Sequence, residues 1–151
     1  MARVLIVGYG NPLRSDDGLG WHVAQELSRE LRREDVQIVA VHQLAPEIAE
    51  AVSRAEHVLF VDAARDGAPG SLGCAQVSPA AASNRYTHEL SPAIVLKLAK
   101  ELYGKSPQAH LLTITGESFE TGETMSAPVV AAIPALMARI RSLMNGDQEK
   151  A

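Results

Sequence analysis

Four short apolar runs, separated by segments with helical spacing, constrain the fold of this chain most strongly. The runs are almost continuously apolar rather than alternating, which is typical of parallel strands that are covered on both faces. They are ARVLIVG at the start, VQIVAVH near residue 36, HVLFVDA near residue 57 and HLLTITG near residue 110. A weaker run, LGCAQV near residue 72, predicts a fifth strand at the edge of the sheet.

Four amphipathic segments predict helices. They follow Gly18, Pro46, Ser91 and Ser126, and their apolar residues recur three or four positions apart. The residues expected to face the core are Leu19, Val23, Leu27 and Leu31, then Ile48 and Val52, then Ile94, Val95, Leu98 and Leu102, and finally Val129, Ile133, Met137, Ile140 and Met144. Pro134 lies inside the last pattern and predicts a kink or a break.

The alternation of strands and helices predicts an α/β fold. We expect a three-layer α/β/α sandwich with a twisted, mainly parallel sheet of about five strands. A chain of 151 residues suits one domain with a single core. We therefore expect one domain over residues 1–145 and a frayed tail at residues 146–151.

Composition limits the class of protein. The net charge is −4 without a basic cluster, which argues against a nucleic-acid partner. The only cysteine is Cys74, so an internal disulfide is impossible and a reducing compartment is suitable. The first apolar run is too short for a signal peptide, and no apolar stretch reaches the roughly 18 residues of a membrane span. We expect a cytoplasmic protein without a membrane partner.

The segment GYGNPLRSDDGLG, residues 8–20, follows the first predicted strand and has three interpretations. A dinucleotide-binding loop is disfavoured, because Leu13 occupies the position of the third glycine, Pro12 lacks an amide, and two aspartates would repel phosphate. A helix cap accounts for one aspartate, for which Asp16 is the candidate. Asp17 would then point into a pocket as a ligand or as an acid or base.

Two further polar residues are predicted near the carboxyl ends of strands. Asp62 ends a run that otherwise reads as buried, and His88 precedes the helix after Ser91. Two carboxylates and one imidazole from three loops suit a borderline divalent cation such as nickel or zinc and leave coordination positions open. An aspartic dyad of Asp17 and Asp62 is the alternative, although it gives His88 no role.

The remaining candidates for catalysis are weaker. His42 ends a strand and can reach the same end of the sheet, whereas His57 and His110 begin strands and are expected to be surface or structural residues. Cys74 lies in the weak strand, and no Gly-x-Ser-x-Gly nucleophile motif is present.

Four motifs, in this order, resemble those of the hydrogenase maturation endopeptidases. They are GYGNPLRSDDGLG, LFVDAA, THELSPAIVLKLA and TITGESFETGETMS, and together they extend over nearly the whole chain. This family cleaves a C-terminal extension from the large-subunit precursor of nickel–iron hydrogenases after nickel has been inserted. The resemblance implies an α/β/α fold with a mainly parallel sheet.

The resemblance also implies roles for three residues. Asp17, Asp62 and His88 occupy the positions of the family's metal-contacting residues, and they are the expected catalytic and metal-binding set. Many relatives have glutamate at the position of Asp17, so the carboxylate here is set back by one methylene. The expected metal is nickel supplied by the precursor, with weak affinity in the isolated protein.

Substrate contacts are expected from both glycine-containing loops. Glu117 and Phe119 are candidates for contact with the precursor's extended tail, with an ordinary strand-to-helix connection as the alternative. Gly10 and Asn11 are also candidates, although shaping the loop that presents Asp17 is the favoured role for them. Two other functions stay open, a non-catalytic metal-sensing assembly module and a nucleotide-binding α/β protein.

Overall fold

The computed structural model describes residues 3–79 and 90–146. The elements are β1 (Val4–Tyr9), α1 (Leu19–Glu30), β2 (Val36–Val41), α2 (Ile48–Ser53), β3 (His57–Ala64), β4 (Leu72–Gln76), α3 (Pro92–Tyr103), β5 (Gln108–Thr115) and α4 (Ala127–Met144). A short 3₁₀ helix, Ser15–Gly18, comes directly before α1. All five predicted strands and all four predicted helices are present. The expected frayed tail, residues 146–151, lies outside the described residues except for Gly146.

The five strands form one sheet in the order β2-β1-β3-β5-β4. Strands β2, β1, β3 and β5 are parallel to one another, and β4 pairs antiparallel with β5. The prediction of a mainly parallel sheet with a weak edge strand is confirmed. The connection at residues 65–71 is too short for the crossover that a parallel neighbour needs, so β4 runs in the opposite direction.

Helices cover both faces of the sheet and create two apolar cores. One core contains residues of α1 and α4, including Leu27 and Ile140, packed on Ile6 and Leu112. The other contains residues of α2 and α3, including Val52 and Leu96, packed on Val7 and Phe60. The predicted three-layer sandwich is therefore confirmed.

Helix α3 begins and ends where its sequence predicts, but one of its residues does not face the core as expected. The Ser91 side chain accepts a hydrogen bond from the Ile94 N–H over 3.3 Å, and Gly104 ends the helix with a φ of 79°. The expectation that Leu102 faces the core is wrong, because it is 64% exposed. The last turn of α3 directs Leu102 and the neighbouring Tyr103 into solvent.

Helix α4 continues through Pro134, so the predicted break is absent. The proline ring removes the hydrogen bond to the carbonyl of Val130, four residues earlier, on a side of the helix where Val130 is 49% exposed. Water can satisfy that carbonyl. This explains how an 18-residue helix tolerates an interior proline.

Helix α4 also corrects the expectation about membrane-spanning length. Its 18 residues have a mean hydropathy of 1.4, enough by length and composition to cross a membrane. Here the helix places Val129, Leu136, Ile140 and Leu143 against the sheet. A core helix of this length meets the same criterion, so the finding is weak evidence for a membrane span.

Candidate functional site

Two loops meet at the carboxyl ends of β1, β3 and β5, which we call the carboxyl edge of the sheet. The β1 loop comprises residues 10–18, and the β5 loop comprises residues 116–126. Parallel strands bring these connections to one edge, where open α/β sheets bind their ligands. The expectation that both loops emerge on the same side is confirmed.

Asp16 joins the two loops through a completely buried carboxylate. Its oxygens accept hydrogen bonds from the N–H groups of Glu117 (2.7 Å), Ser118 (3.1 Å) and Ser126 (2.7 Å), and from the Ser126 hydroxyl (2.8 Å). Burial alone would raise the pKa of Asp16, but these hydrogen bonds outweigh it and hold that pKa below its usual value.

The expected role of Asp16 as the cap of its own helix is therefore wrong. The N-cap of α1 is Gly18, which has no side chain to accept a hydrogen bond. Asp16 bonds instead to Ser126, the N-cap residue of α4. The contact spans 110 positions of sequence, so local helix-capping rules do not predict it.

Backbone hydrogen bonds continue the connection between the loops. The Ser15 N–H donates to the Gly122 carbonyl over 2.8 Å, and the Gly122 N–H donates to the Leu13 carbonyl over 2.9 Å. The Arg14 side chain reaches the Phe119 carbonyl over 3.2 Å. The β1 and β5 loops consequently form one hydrogen-bonded unit.

Gly10 and Asn11 shape the turn that presents Asp17. Gly10 has a φ of +144°, and a Cβ at this position would lie 1.9 Å from the Asp17 carbonyl oxygen. The Asn11 N–H donates to Asp17 Oδ2 over 2.9 Å, and the Asn11 side-chain oxygen accepts from the Leu13 N–H over 2.9 Å. These contacts give both residues a structural role, while their expected contact with substrate stays a prediction.

In the β1 loop, the amides of residues 10–17 are not free to bind a phosphate group. The N–H groups of residues 10, 11 and 13–17 all donate hydrogen bonds within the protein, and residue 12 is proline. A nucleotide-binding loop needs several amides that point at the ligand. This geometry opposes the nucleotide-binding alternative.

Asp62, near the end of β3, has an unusual protonation equilibrium. Burial raises the pKa of its carboxyl to about 6, and the negative charge of Asp17 adds to that effect. The Ala63 N–H, which donates over 2.7 Å, the Tyr9 hydroxyl and the positive charge of Arg65 act in the opposite direction. A carboxyl group with this pKa exchanges protons close to neutral pH.

Tyr9 and Arg65 belong to the site, although the sequence did not single them out. Alternation along β1 and β3 places Tyr9 and Asp62 on the same face of the sheet, and burial together with the neighbouring Asp62 charge raises the pKa of the Tyr9 hydroxyl. Arg65 Nη2 lies 3.8 Å from Asp17 Oδ1, and the guanidinium carbon lies 3.9 Å from the centre of the Phe119 ring. Arg65 therefore provides a positive charge beside the two carboxylates.

The third expected ligand, His88, lies outside the described residues. Within residues 3–79 and 90–146, no three His, Cys, Asp or Glu side chains are grouped closely enough to share a metal ion. Leu90, the first described residue after the gap, packs against the same apolar core as Tyr9. The metal-binding set of Asp17, Asp62 and His88 stays a prediction.

Two other histidines form a buried pair at the opposite end of the sheet. His57 Nε2 and His110 Nδ1 are 2.8 Å apart, and the residues are 4% and 3% exposed. Burial lowers the pKa of His57 to about 4, with further contributions from His110 and Arg3. The expectation of a structural role fits this geometry, whereas a surface position is wrong. His42 is exposed and lies edge-to-face with Trp21.

Comparison with known proteins gives one family. The family model HycI, described as hydrogenase maturation protease, matches residues 21–143. No curated protein matches the chain significantly.

Solved structures of similar fold carry related descriptions. The [NiFe] hydrogenase maturation protease HycI of Thermococcus kodakarensis KOD1 is 25% identical with a TM-score of 0.77, covering 96% of this chain and 94% of its own. The hydrogenase maturating endopeptidase HybD of E. coli is 21% identical with a TM-score of 0.77, covering 97% and 94%, which supports the fold alone. A hydrogenase 2 maturation peptidase from a Thaumarchaeota archaeon is 25% identical with a TM-score of 0.73, covering 95% and 98%.

Proposed function

Because this chain belongs to the hydrogenase maturation protease family, we propose that it is the endopeptidase that removes the C-terminal extension of a nickel–iron hydrogenase large-subunit precursor. The family match over residues 21–143 carries this conclusion. The relatives named above are described as maturation proteases or peptidases, consistent with the same reaction. The partner is accordingly a large-subunit precursor, and the cytoplasmic location stays a prediction.

We further propose that the enzyme recognises nickel that the precursor already carries. Asp17 and Asp62 supply carboxylate oxygens at the carboxyl edge, and their charges interact there. His88 is the proposed third contact. With few protein ligands and open coordination positions, the isolated protein should bind nickel weakly. Tight, stoichiometric structural zinc in equilibrium dialysis would contradict this proposal.

Asp62 is the proposed proton acceptor in hydrolysis. As a water oxygen attacks the scissile carbonyl carbon, Asp62 takes a proton from that water. The proton then passes to the amide nitrogen as the carbon–nitrogen bond breaks. In the metal-free protein, a pKa of about 6 leaves Asp62 mostly ionised at neutral pH, which is the form that accepts a proton.

The direct test is cleavage of purified precursor with and without nickel. We expect the enzyme to cleave only the nickel-loaded precursor and not the nickel-free one. We also expect Asp62→Asn to lower the cleavage rate by about 100-fold or more. Asp17→Asn and His88→Gln should also slow cleavage. Asp66→Asn is the matched control, because Asp66 is exposed and only four positions from Asp62.

Each outcome of this assay has a separate meaning. Equal cleavage of nickel-free precursor would reject nickel recognition while leaving the protease function intact. Wild-type rates in the Asp17 and Asp62 variants would reject their catalytic roles. If the precursor binds but neither the wild type nor any variant cleaves it, the non-catalytic assembly module would be favoured.

A further inference from the structure

A cavity of about 140 Å³ lies between β4, β5 and α4. It is lined by Leu72, Gly73, Cys74, Leu112, Leu136 and Arg139. Leu72 and Cys74 alternate with Gly73 along β4, and Leu136 and Arg139 are three positions apart on α4, so their side chains share one helix face. Leu72 is 46% exposed and marks the side from which a ligand can enter.

Arg139, which lines this cavity, carries an unpartnered cationic nitrogen. Arg139 Nη2 is buried and has no hydrogen-bond partner among the residues that the structure describes. A buried guanidinium N–H without an acceptor is destabilising, since charged groups lose the most solvation on burial. The rest of the lining is almost entirely apolar.

No carboxylate in the described part of the chain compensates for this charge. The nearby Arg141 pairs with Glu30 over 2.6 Å, whereas Arg139 forms none of the ion pairs found there. The guanidinium also lies close enough to His110 for its positive charge to help lower the pKa of that imidazole, after the larger effect of burial. Among the described residues, His110 interacts with the Arg139 charge and Cys74 shares the cavity lining, and neither side chain is a carboxylate.

Size and polarity together define the ligand. An apolar cavity of roughly 150 Å³ holds a molecule the size of benzene, which has about six heavy atoms. Guanidinium groups bind carboxylates through paired hydrogen bonds. We propose that the cavity binds a carboxylate attached to a small apolar group, with the carboxylate on Arg139 and the apolar group against Leu72, Leu112 and Leu136.

This chemistry has two sources, a free organic acid and the C-terminal residue of a peptide. The test uses 4-methylpentanoate for the first and acetyl-Gly-Leu for the second, each beside its carboxamide. Binding is followed by the chemical shift of the Arg139 side-chain Nε–H in the full-length protein. We expect at least one acid to bind at least about tenfold more tightly than its amide.

The variants isolate the guanidinium. Arg139→Gln should weaken binding of the acid about tenfold or more. Arg141→Gln, on the same helix, should leave binding unchanged. Cys74→Leu should weaken binding of both the acid and the amide by filling the cavity. The wild-type protein's affinities for the acid and for the amide can be compared without any variant. The proposal therefore remains testable if a variant fails to fold.

Three results would overturn the proposal. They are the absence of binding by both acids, equal affinity for acid and amide, and equal loss of binding in the Arg139 and Arg141 variants. Preference for 4-methylpentanoate would assign the site to a small organic acid, and preference for acetyl-Gly-Leu would assign it to a peptide C-terminus. Neither outcome depends on precursor cleavage, so failure here leaves the proposed protease function intact.

Discussion

Replacing Asp16 with alanine should lower the free energy of unfolding by about 3–5 kcal/mol, because it removes the acceptor of four hydrogen bonds. Three of the donors are backbone N–H groups, of Glu117, Ser118 and Ser126. Each costs about 1–3 kcal/mol if it stays buried without a partner. Relaxation of the β5 loop toward water reduces that sum to the value given.

The assay is urea unfolding at pH 7, followed by circular dichroism. With a slope of about 2 kcal/mol per molar urea, the midpoint should fall by roughly 2 M. Asp17→Ala is the matched control, because Asp17 is adjacent, partly exposed and accepts one backbone hydrogen bond from Asn11. It should lower stability by about 1 kcal/mol or less while affecting cleavage.

The pH dependence gives a second check on Asp16. Its folded-state pKa lies below the usual 3.8, so its stabilising effect is present above about pH 4 and disappears as the pH falls through the folded-state value. The Asp16→Ala deficit should therefore be constant from pH 7 to pH 5. A deficit below 1 kcal/mol with an unchanged slope, or a larger one for Asp17→Ala, would refute the structural role of Asp16.

Three further predictions follow from other contacts. Gly10→Ala should lower the free energy of unfolding by about 3 kcal/mol and displace Asp17, because the new Cβ would lie 1.9 Å from the Asp17 carbonyl oxygen. Gly104→Ala should lower it by only about 1 kcal/mol, because its Cβ would meet no atom within 4 Å. Similar urea midpoints for the two variants would contradict this prediction. Arg65→Gln should raise nickel affinity in titration calorimetry about fivefold, because a positive charge 3.8 Å from Asp17 is removed, and an unchanged or weaker affinity would exclude that role. Wild type should lose about 2–3 kcal/mol of stability relative to His57→Gln between pH 6.5 and pH 4, because the unfolded chain protonates His57 at its usual pKa of 6.5 and the folded one only at about 4. The comparison with the variant is needed because Asp62, whose pKa is raised to about 6, changes stability in the opposite direction in both proteins. A difference between the two proteins in urea unfolding that stays constant over this pH range would reject the assignment.

The strands and helices were accessible from the sequence because each depends on local patterns. The unbroken apolar run of β3 predicts a strand buried on both faces, and Ser91 with Gly104 predicts where α3 begins and ends. The exposure of Leu102 was not accessible, because helical periodicity identifies an apolar face without showing how far the neighbouring layer extends. The direction of β4 follows from the short connection before it rather than from the residues of the strand.

The site was accessible only in part. Asp17 was identifiable because it follows a predicted strand of a parallel sheet, and Asp62 because it lies at the end of one. Arg65 and Tyr9 were not, because their roles depend on which strands are neighbours and on which face each side chain lies. Asp16 illustrates the same limit, since its partner Ser126 is 110 positions away and no local rule connects them.

The hydrogen-bonded union of the β1 and β5 loops has a consequence for exchanging parts between relatives. Replacing residues 116–126 alone with those of a relative would leave the Asp16 carboxylate with mismatched donors. Replacing residues 10–18 alone would leave the amides that now donate to Asp16 without their acceptor. A chimera that receives both segments from one donor protein keeps the full set of contacts. If these two segments determine which precursor the enzyme prefers, that preference should therefore be transferred only when both segments are exchanged together.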